Sequence, residues 1–568
     1  AHRLVPVVLY WLYDTRRKEA TRVLEDGGEP EADAEEAQPP EPEPRLGCSV
    51  LLASVEHSTP WTEAWPENSR TQKVQSGGLG VVVRLIAQHH PRGDAEHQLW
   101  MVHPMVSGGG MDYGPGEAEP ALEVFVDGRM ERVEVFRYEH PREGLNVKYL
   151  MLSHRLFTER TWKADPPELY PNPMTRTKVL YFYALWNQAV GALLRRLQPD
   201  IYHCPDFHAA LAPWHAVAPG PGSHPSLRVL LVLHNAEYQG SISTDMALGE
   251  RARRLASIFH VPEDFFKKHL VHDGRLNMLK AGVDFCAERQ RGRGVCAVSC
   301  HYAEEVEQQY DLFWRLPHGA VQGLPNPMLE EERAKVPLGE VRPPGREALP
   351  PVVSSRLAEG ESPELSAADL PPSVRASLAG ADCEAASFAW LHEHLDCLEQ
   401  VKAAAKAKMQ RLLGLQENPQ ARTFVSLGRI VRQKGVDLLA EVAEWLLESF
   451  EDAQLVVIGP DEDGFGAFAR TRLEALQDRF QGRMFCYFQF WRVPQALKLA
   501  ADFCLMPSRD EPFGYVDVEF AWNGAIVVGS QVGGLGKVPG FYYVAQNRES
   551  LKRLQSELRT VLAQAMEA

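Results

Sequence analysis

The feature that most constrains the fold of this sequence is a rhythm that occurs twice: short apolar runs alternate with segments whose apolar residues recur at helical spacing. In the first half the runs are 49–54, 98–102, 200–204 and 229–233, with helical patterns after Gly80 and over 178–197. The second pattern ends in Arg195 and Arg196, and cations suit the negative pole of a helix. In the second half the runs are 423–427, 455–458, 503–506 and 526–528, separated by helical patterns over 436–450, 468–480 and 516–522. Strands alternating with helices predict parallel sheets with helical crossovers. The expected fold class is α/β, with two doubly wound units in tandem. Such sheets bind their ligands beyond the carboxyl ends of the strands, so the loops there are where chemistry is expected.

Length agrees with this division, because 568 residues exceed what one hydrophobic core holds. Two stretches break the rhythm. Residues 25–45 are rich in Glu and Pro and hold almost no large apolar side chain, so burial cannot offset the entropy of ordering them. Residues 335–385 have a similar character and are expected to form a surface insertion near the domain boundary. The expected organisation is an N-terminal segment with its linker over 1–45, a first domain over 46–330, a low-complexity insertion or linker over 331–395, and a second domain over 396–568.

A formal charge of -16 argues against broad binding to nucleic acid or anionic membrane, which needs a basic surface, and no nucleic-acid partner is expected. The local cluster Arg289, Arg291 and Arg293 reads as a solvated loop. Nine cysteines, an odd number without any Cys-x-x-Cys pair, indicate neither a disulfide framework nor a zinc ribbon. A reducing compartment fits them, either the cytoplasm or a plastid stroma. No run approaches the roughly 20 apolar residues of a membrane span. The apolar run 4–13 admits two readings: a strand, which is favoured, or the end of a membrane segment belonging to a larger parent chain.

Five segments carry residues suited to chemistry. Gly77, Gly78 and Gly80 precede an apolar helical pattern, where glycines allow close backbone approach and a helix N-terminus offers N–H groups to a phosphate or sugar oxygen; a tight structural turn is the other reading. The run 428–435 (GRIVRQKG) follows a strand and opens a helix, so Arg429 and Lys434 could neutralise a diphosphate at a helix end that already favours anions, or could simply be solvated. In 508–514 (SRDEPFG), Glu511 precedes a helical pattern that carries Glu519. Two carboxylates at that spacing can line one cleft, or be unrelated surface acids. His208 in 202–208 (YHCPDFH) and the run 234–240 (HNAEYQG) gather polar groups at strand ends, although His208 alone reads more readily as a structural histidine. Ser243, Thr244 and Asp245 are expected to cap a following helix.

Taken in order, these segments resemble glycosyltransferase family 5, the glycogen and starch synthases, whose fold is the GT-B type of two Rossmann-like domains with parallel sheets facing a central cleft. The likeness is greatest to the cell-wall α-1,3-glucan synthases of fungal type. It is carried by 73–82 (KVQSGGLGVV), 233–240 (LHNAEYQG), 324–327 (LPNP), 507–514 (PSRDEPFG) and 532–543 (VGGLGKVPGFYY), and spans about residues 46–547 outside the insertion. Bacterial glycogen synthases look similar around the glycines and the Glu-Pro motif but lack the Pro-Gly-aromatic ending.

The resemblance implies that Arg429 and Lys434 hold the donor's phosphates, that Glu511 contacts the transferring glucose, and that Glu519 holds the ribose. It places Gly77, Gly78, Gly80, Phe513, Gly514, Gly533 and Gly534 around the donor. His208 falls beside the reacting sugar, and His234, Asn235, Tyr238 and Gln239 on the acceptor side. The partners so implied are a nucleotide-glucose, UDP-glucose rather than ADP-glucose, and an α-glucan acceptor. No cofactor and no metal are implied, and the metal-free expectation takes as its ground that no Asp-x-Asp motif stands at a strand end.

Two departures bear on activity. The family's lysine two residues before its paired glycines falls on Gln75, while Lys73 sits two positions earlier, as in the α-1,3-glucan group. An aspartate carried in a Leu-Asp-Ala-Pro-like run is missing from 149–157 (YLMLSHRLF). Its loss motivates a rival of another class, a catalytically silent glucan-binding or regulatory domain. The nearer rival is an ADP-glucose-dependent starch or glycogen synthase. From the resemblance, the chain is expected to end short of the segment that crosses back to the first domain in GT-B proteins.

Overall fold

The structure, a computed structural model, describes residues 48–58, 73–74, 78–90, 97–106, 113–141, 143–158, 177–242, 250–328, 336–337, 349–379, 385–386, 391, 393–545 and 550–568. The readings placed on 1–45, Gly77, Gln75 and Ser243 to Asp245 lie outside these residues.

The first lobe is built on a nine-stranded sheet. From one edge its strands run Val321–Gly323, Val295–Ala297, Arg228–Leu233, Ile201–Pro205, Ser49–Ala53, Gln98–Pro104, Val147–Ser153, Arg129–Glu139 and Glu117–Val126. The first seven are parallel: Leu51 pairs with Trp100 on one side and Tyr202 on the other. Leu51, Leu52 and Ala53 are fully buried, as central strands covered on both faces require. The expectation of purely parallel strands is corrected at the far edge, where the last two strands form an antiparallel hairpin onto Val147–Ser153. Its turn is Asp127-Gly128, with φ of 52° and 73°. An Asp-Gly pair between alternating residues is the hairpin signal that marks this element in the sequence. The helix Thr177–Leu197 packs Phe182, Tyr183, Trp186, Val190 and Leu193 into the core along one stripe. Its terminal Arg195 and Arg196 donate to the carbonyls of His215 and Pro120, tying neighbouring loops to the helix end.

The second lobe has a six-stranded parallel sheet in the order Met484–Tyr487, Ala453–Ile458, Arg422–Leu427, Phe503–Met506, Ile526–Ser530, Gly540–Tyr543. The winding reverses between Arg422–Leu427 and Phe503–Met506. At such a switch point the crossover helices leave to opposite faces and open a crevice at the carboxyl ends. The loops after these two strands are 428–435 and 507–514. Helix Val436–Ser449 and helix Gly464–Arg479 cover one face with Leu438, Leu439, Val442, Leu446 and Leu473.

The segment expected to be a low-complexity insertion is corrected in part. Within it the helices Pro351–Ala358 and Pro372–Ala379 fold onto the second lobe. Val353, Leu365, Leu370 and Val374 join the core that contains Val401, Ala405 and Leu412 of the helix Leu395–Leu413. The sparse apolar residues among its prolines and acids are the ones buried.

Candidate active site

The two loops at the second lobe's switch point interlock before any ligand is considered. Gly435 lies at φ 66°, and a Cβ there would stand 1.9 Å from the Pro507 carbonyl, so no side chain is tolerated where the loops cross. Arg509 forms a forked pair with Asp437, at 2.6 and 2.7 Å, and also donates to the Arg432 carbonyl at 2.7 Å. The Gln433 carbonyl accepts from Arg509 N at 2.8 Å, and the Gln433 side-chain amide donates to Asp510 at 3.0 Å. This scaffold brings Lys434 Nζ to 2.5 Å from Glu511 Oε2, which also accepts from Ser508 Oγ at 3.2 Å. The Glu511 side chain is only 9% exposed, so its charge is balanced by one ammonium and one hydroxyl rather than by bulk water.

A second turn supports Glu511 from behind. Gly534 N donates to the Glu511 carbonyl at 2.7 Å, and Gly533, at φ 53°, leaves space for only a hydrogen beside that carbonyl, since a Cβ would stand 2.2 Å from it. Lys537 fastens the same region. Its Nζ donates to the carbonyls of Phe513, Gly514 and Gly534 at 2.5, 2.8 and 3.0 Å, pairs with the buried Asp517 at 2.6 Å, and lies 4.7 Å over the Phe513 ring. Burial depresses the Lys537 ammonium while Asp517 opposes that shift, and burial lifts Asp517 to about 6.

The first lobe meets these loops directly. Phe513 and Tyr515 pack into the first lobe's core, and Tyr515 Oη donates to the Pro327 carbonyl at 2.9 Å. A Cβ on Gly78 would lie 3.6 Å from the Tyr515 ring, so the glycine loop and the Glu511 motif share one wall. The N–H of Gly80 is already taken by the buried Glu56 carboxylate at 2.9 Å, which fills part of the helix end that the sequence offers to an anion. On the other side of the gap, Asp206 accepts from His234 N at 2.7 Å and Asn235 N at 3.1 Å, and Ala236 N donates to Tyr302 Oη at 2.9 Å. Tyr238 is half exposed, and the charges of Arg429 and Asp510 both act on its hydroxyl, so the 234–240 loop faces the second lobe's loops.

Not every expected residue joins this cluster. Arg429 pairs with Glu462 at 3.2 Å instead of Glu511, and its partner is well exposed. Glu519 pairs with Lys498 at 3.0 Å on the helix Tyr515–Ala521. Gln239 is engaged by Asn277 at 2.6 Å and by the Ala236 carbonyl at 3.1 Å. His208 is buried with its ring 4.3 Å from Phe207, and burial drives it down to about 3, so it is a neutral imidazole at ordinary pH. His234 is likewise driven to about 3 and His203 to about 4.

The stated ground for expecting no metal fails, because Asp461-Glu462-Asp463 stands just past the strand Ala453–Ile458. The three carboxylates do not converge. Asp463 accepts from Gly466 N at 2.7 Å and Arg432 N at 2.8 Å, Glu462 meets Arg429, and Asp461 meets Arg470 at 3.5 Å. Among the described residues the grouping with metal-ligand spacing is His272, Asp273 and Asp311, at a hairpin elsewhere with both aspartates exposed. Sequence reasoning also gave no role to Ser508, Asp437, Arg509, Asp510 and Lys537, of which only Asp437 stood outside the quoted motifs.

Asp510 provides a test of this environment. It accepts its hydrogen bond from Gln433 while part-buried near Glu237 and Glu511, and burial raises it to about 7, well above its unfolded value of about 3.9. A raised acid binds its proton more tightly in the folded state, so its contribution to stability is present at low pH and is lost as pH rises toward 7. Thermal denaturation at pH 5 and pH 8 should show Asp510→Asn losing less of its melting temperature over that interval than the parent chain; equal losses contradict the burial assigned to Asp510.

Two α/β lobes whose parallel sheets turn the loops at their carboxyl ends toward each other, with Lys434 and Glu511 held at the junction, define the GT-B class of glycosyltransferase. Comparison with known proteins agrees. A profile described as the starch synthase catalytic domain matches residues 66–317, and one for group 1 glycosyl transferases matches residues 414–551. With a starch synthase catalytic domain match followed by a group 1 glycosyl transferase match, the chain is an α-glucan synthase-like glycosyltransferase related to the α-1,3-glucan synthases. It is 31% identical to the cell wall alpha-1,3-glucan synthase mok13 of Schizosaccharomyces pombe over 91% of this chain and 19% of that protein, and 30% identical to ags1 of the same yeast over 88% and 17%. The chain thus spans about a fifth of those relatives. A glycogen synthase of Exiguobacterium sibiricum is 25% identical over 62% of each chain. Among solved structures, the catalytic domain of starch synthase IV from Arabidopsis thaliana bound to ADP and acarbose shares the fold, with a TM-score of 0.57, 18% identity and coverage of 92% of this chain and 98% of that one. Among the described residues no helix is long and apolar enough to cross a membrane.

Proposed function

We propose that this chain is a retaining glucosyltransferase that moves glucose from UDP-glucose to the end of a growing α-glucan, forming α-1,3 linkages. The observation that carries the reading is the Lys434–Glu511 contact at 2.5 Å, held by two interlocked loops at the switch point of a parallel sheet and walled by the first lobe's glycine helix. An ammonium fixed beside a carboxylate at the carboxyl ends of strands suits a ligand that is anionic at one end and rich in hydroxyls at the other. The α-1,3 assignment draws on the relatives' names, and the UDP donor on the resemblance to the α-1,3 group, whose 532–543 ending is present here.

In this reading the bond between glucose C1 and the diphosphate oxygen breaks with its electron pair leaving on the phosphate, and positive charge spreads over C1 and the ring oxygen. Lys434 and Arg429 meet the charge growing on the diphosphate, which acts more on the transition state than on the ground state. Glu511 holds the glucose hydroxyls. The acceptor hydroxyl forms its bond to C1 on the face the diphosphate leaves, and its proton passes to the departing phosphate oxygen. Arg429 turns from Glu462 toward the phosphates, a rotation that a half-exposed side chain allows.

The test supplies labelled UDP-glucose and ADP-glucose separately with a glucan primer, then digests the product with linkage-specific glucanases. Label from UDP-glucose released only by an α-1,3-glucanase is expected. Incorporation from ADP-glucose into α-1,4-glucan would instead make the chain a starch or glycogen synthase, and glucan binding without turnover would make it a silent domain.

A further inference from the structure

The helix Cys300–Gln309 belongs to the first lobe, yet two of its polar side chains hold loops of the second. Ser299 caps the helix by accepting from Tyr302 N at 3.2 Å, and its hydroxyl donates to the Pro512 carbonyl at 2.9 Å. Further along the helix, Glu305 accepts the N–H of Gly533 with both carboxylate oxygens at 3.0 Å. Pro512 directly follows Glu511, and the residue after Gly533 donates its own N–H to the Glu511 carbonyl. One helix therefore grips both chain segments that set the position of Glu511.

The Glu305 contact is stronger than a neutral loop contact. Its side chain is 17% exposed, and it also stands 3.3 Å from the His301 ring on the helix's own surface. A carboxylate bound to a backbone N–H forms a charge-assisted hydrogen bond. The N–H it binds belongs to a residue at φ 53° that has no room for a side chain, so the turn cannot relax by a small local adjustment. Moving Gly533 therefore carries Gly534, and with it the backbone of Glu511.

We propose that Glu305 is a positioning residue for glucosyl transfer: from the first lobe it fixes the Gly533–Gly534 turn and, through that turn, the carboxylate of Glu511. This rests on the glucosyltransferase reading and adds to it that the sugar end of the donor pocket is completed by the lobe opposite the one that carries it. The grip falls on the loops around Glu511 and does not touch the 428–435 loop. Loss of Glu305 therefore weakens recognition of the glucosyl group and leaves recognition of the diphosphate unchanged.

The full chain, Glu305→Ala and Glu305→Gln are compared for kcat, KM and the dissociation constants of UDP and UDP-glucose, with ADP and ADP-glucose in parallel. Removing a partner of a charge-assisted hydrogen bond predicts that Glu305→Ala lowers kcat/KM for the donor about tenfold or more. UDP affinity should stay within about twofold. Glu305→Gln, whose amide oxygen still accepts from Gly533 N but without the charge, should recover only part of the loss, whereas a side chain needed only for packing would be replaced in full by the isosteric amide. An active parent chain with an unaffected Glu305→Ala variant overturns the inference alone, as does a variant that loses UDP and UDP-glucose affinity equally. A parent chain that transfers glucose from neither donor overturns the functional reading and this inference with it.

Discussion

Lys434→Ala should lower turnover by roughly a hundredfold to a thousandfold, the range seen when one preorganised charge-stabilising group is removed from a buried site. The loss should fall on kcat more than on the donor KM, because charge on the diphosphate is largest in the transition state. It has a second cause. Without the ammonium at 2.5 Å, Glu511 keeps only Ser508 of these two neighbours and loses the cation that holds its carboxylate in place. Arg429→Ala should reduce activity without disturbing Glu511, since Arg429 pairs with Glu462. A Lys434→Ala chain that folds and turns over at the parent rate overturns the assignment.

Gly435→Ala should abolish activity and destabilise the second lobe together. The added methyl would stand 1.9 Å from the Pro507 carbonyl, and the backbone at φ 66° disfavours any side chain. The two loops must then separate, which strains the Arg509–Asp437 fork and the Gln433–Asp510 bond and withdraws Lys434 from Glu511. Loss of a strained backbone position and of a hydrogen-bonded network is among the few mechanisms that exceed about 3 kcal/mol. The measurements are a thermal melt and a donor-binding titration: a melting temperature and an affinity equal to the parent's would show that the loops do not cross as described. Gly464→Ala, in the same lobe with open space at its Cβ position, is the matched control.

Much of this architecture could be read from the chain alone, for a reason visible in particular segments. Strands such as Phe503–Met506 and Ala453–Ile458 are buried on both faces, so their sequences are nearly continuous apolar runs, and helices such as Val436–Ser449 show their stripe directly. The hairpin Glu117–Val126 and Arg129–Glu139 was missed because its outer face is charged and its apolar residues alternate, a weaker pattern than a buried run. The folded part of 335–385 was missed because a few buried residues, Val353, Leu365, Leu370 and Val374, are diluted among prolines and acids. For the candidate site, the motifs pointed to Lys434, Glu511, Gly533 and Gly534, which the structure brings together. They gave no sign that Arg509 would fork onto Asp437, that Glu56 would occupy the Gly80 N–H, or that Arg429 and Glu519 would each hold a different partner.

The order of apolar runs and glycine-bearing loops in this chain determined the fold class, the two-lobed plan and the loops proposed to carry its chemistry, because periodicity and backbone permissiveness are local properties. What only the tertiary structure decided is which charged groups face which. Glu511 meets Lys434 because two crossovers leave one switch point in opposite directions and bring their loops back together, and Glu305 meets Gly533 across 228 positions of sequence because the lobes are docked. Contacts of that kind depend on distances set by sheet order and lobe packing, and no spacing along the chain encodes them.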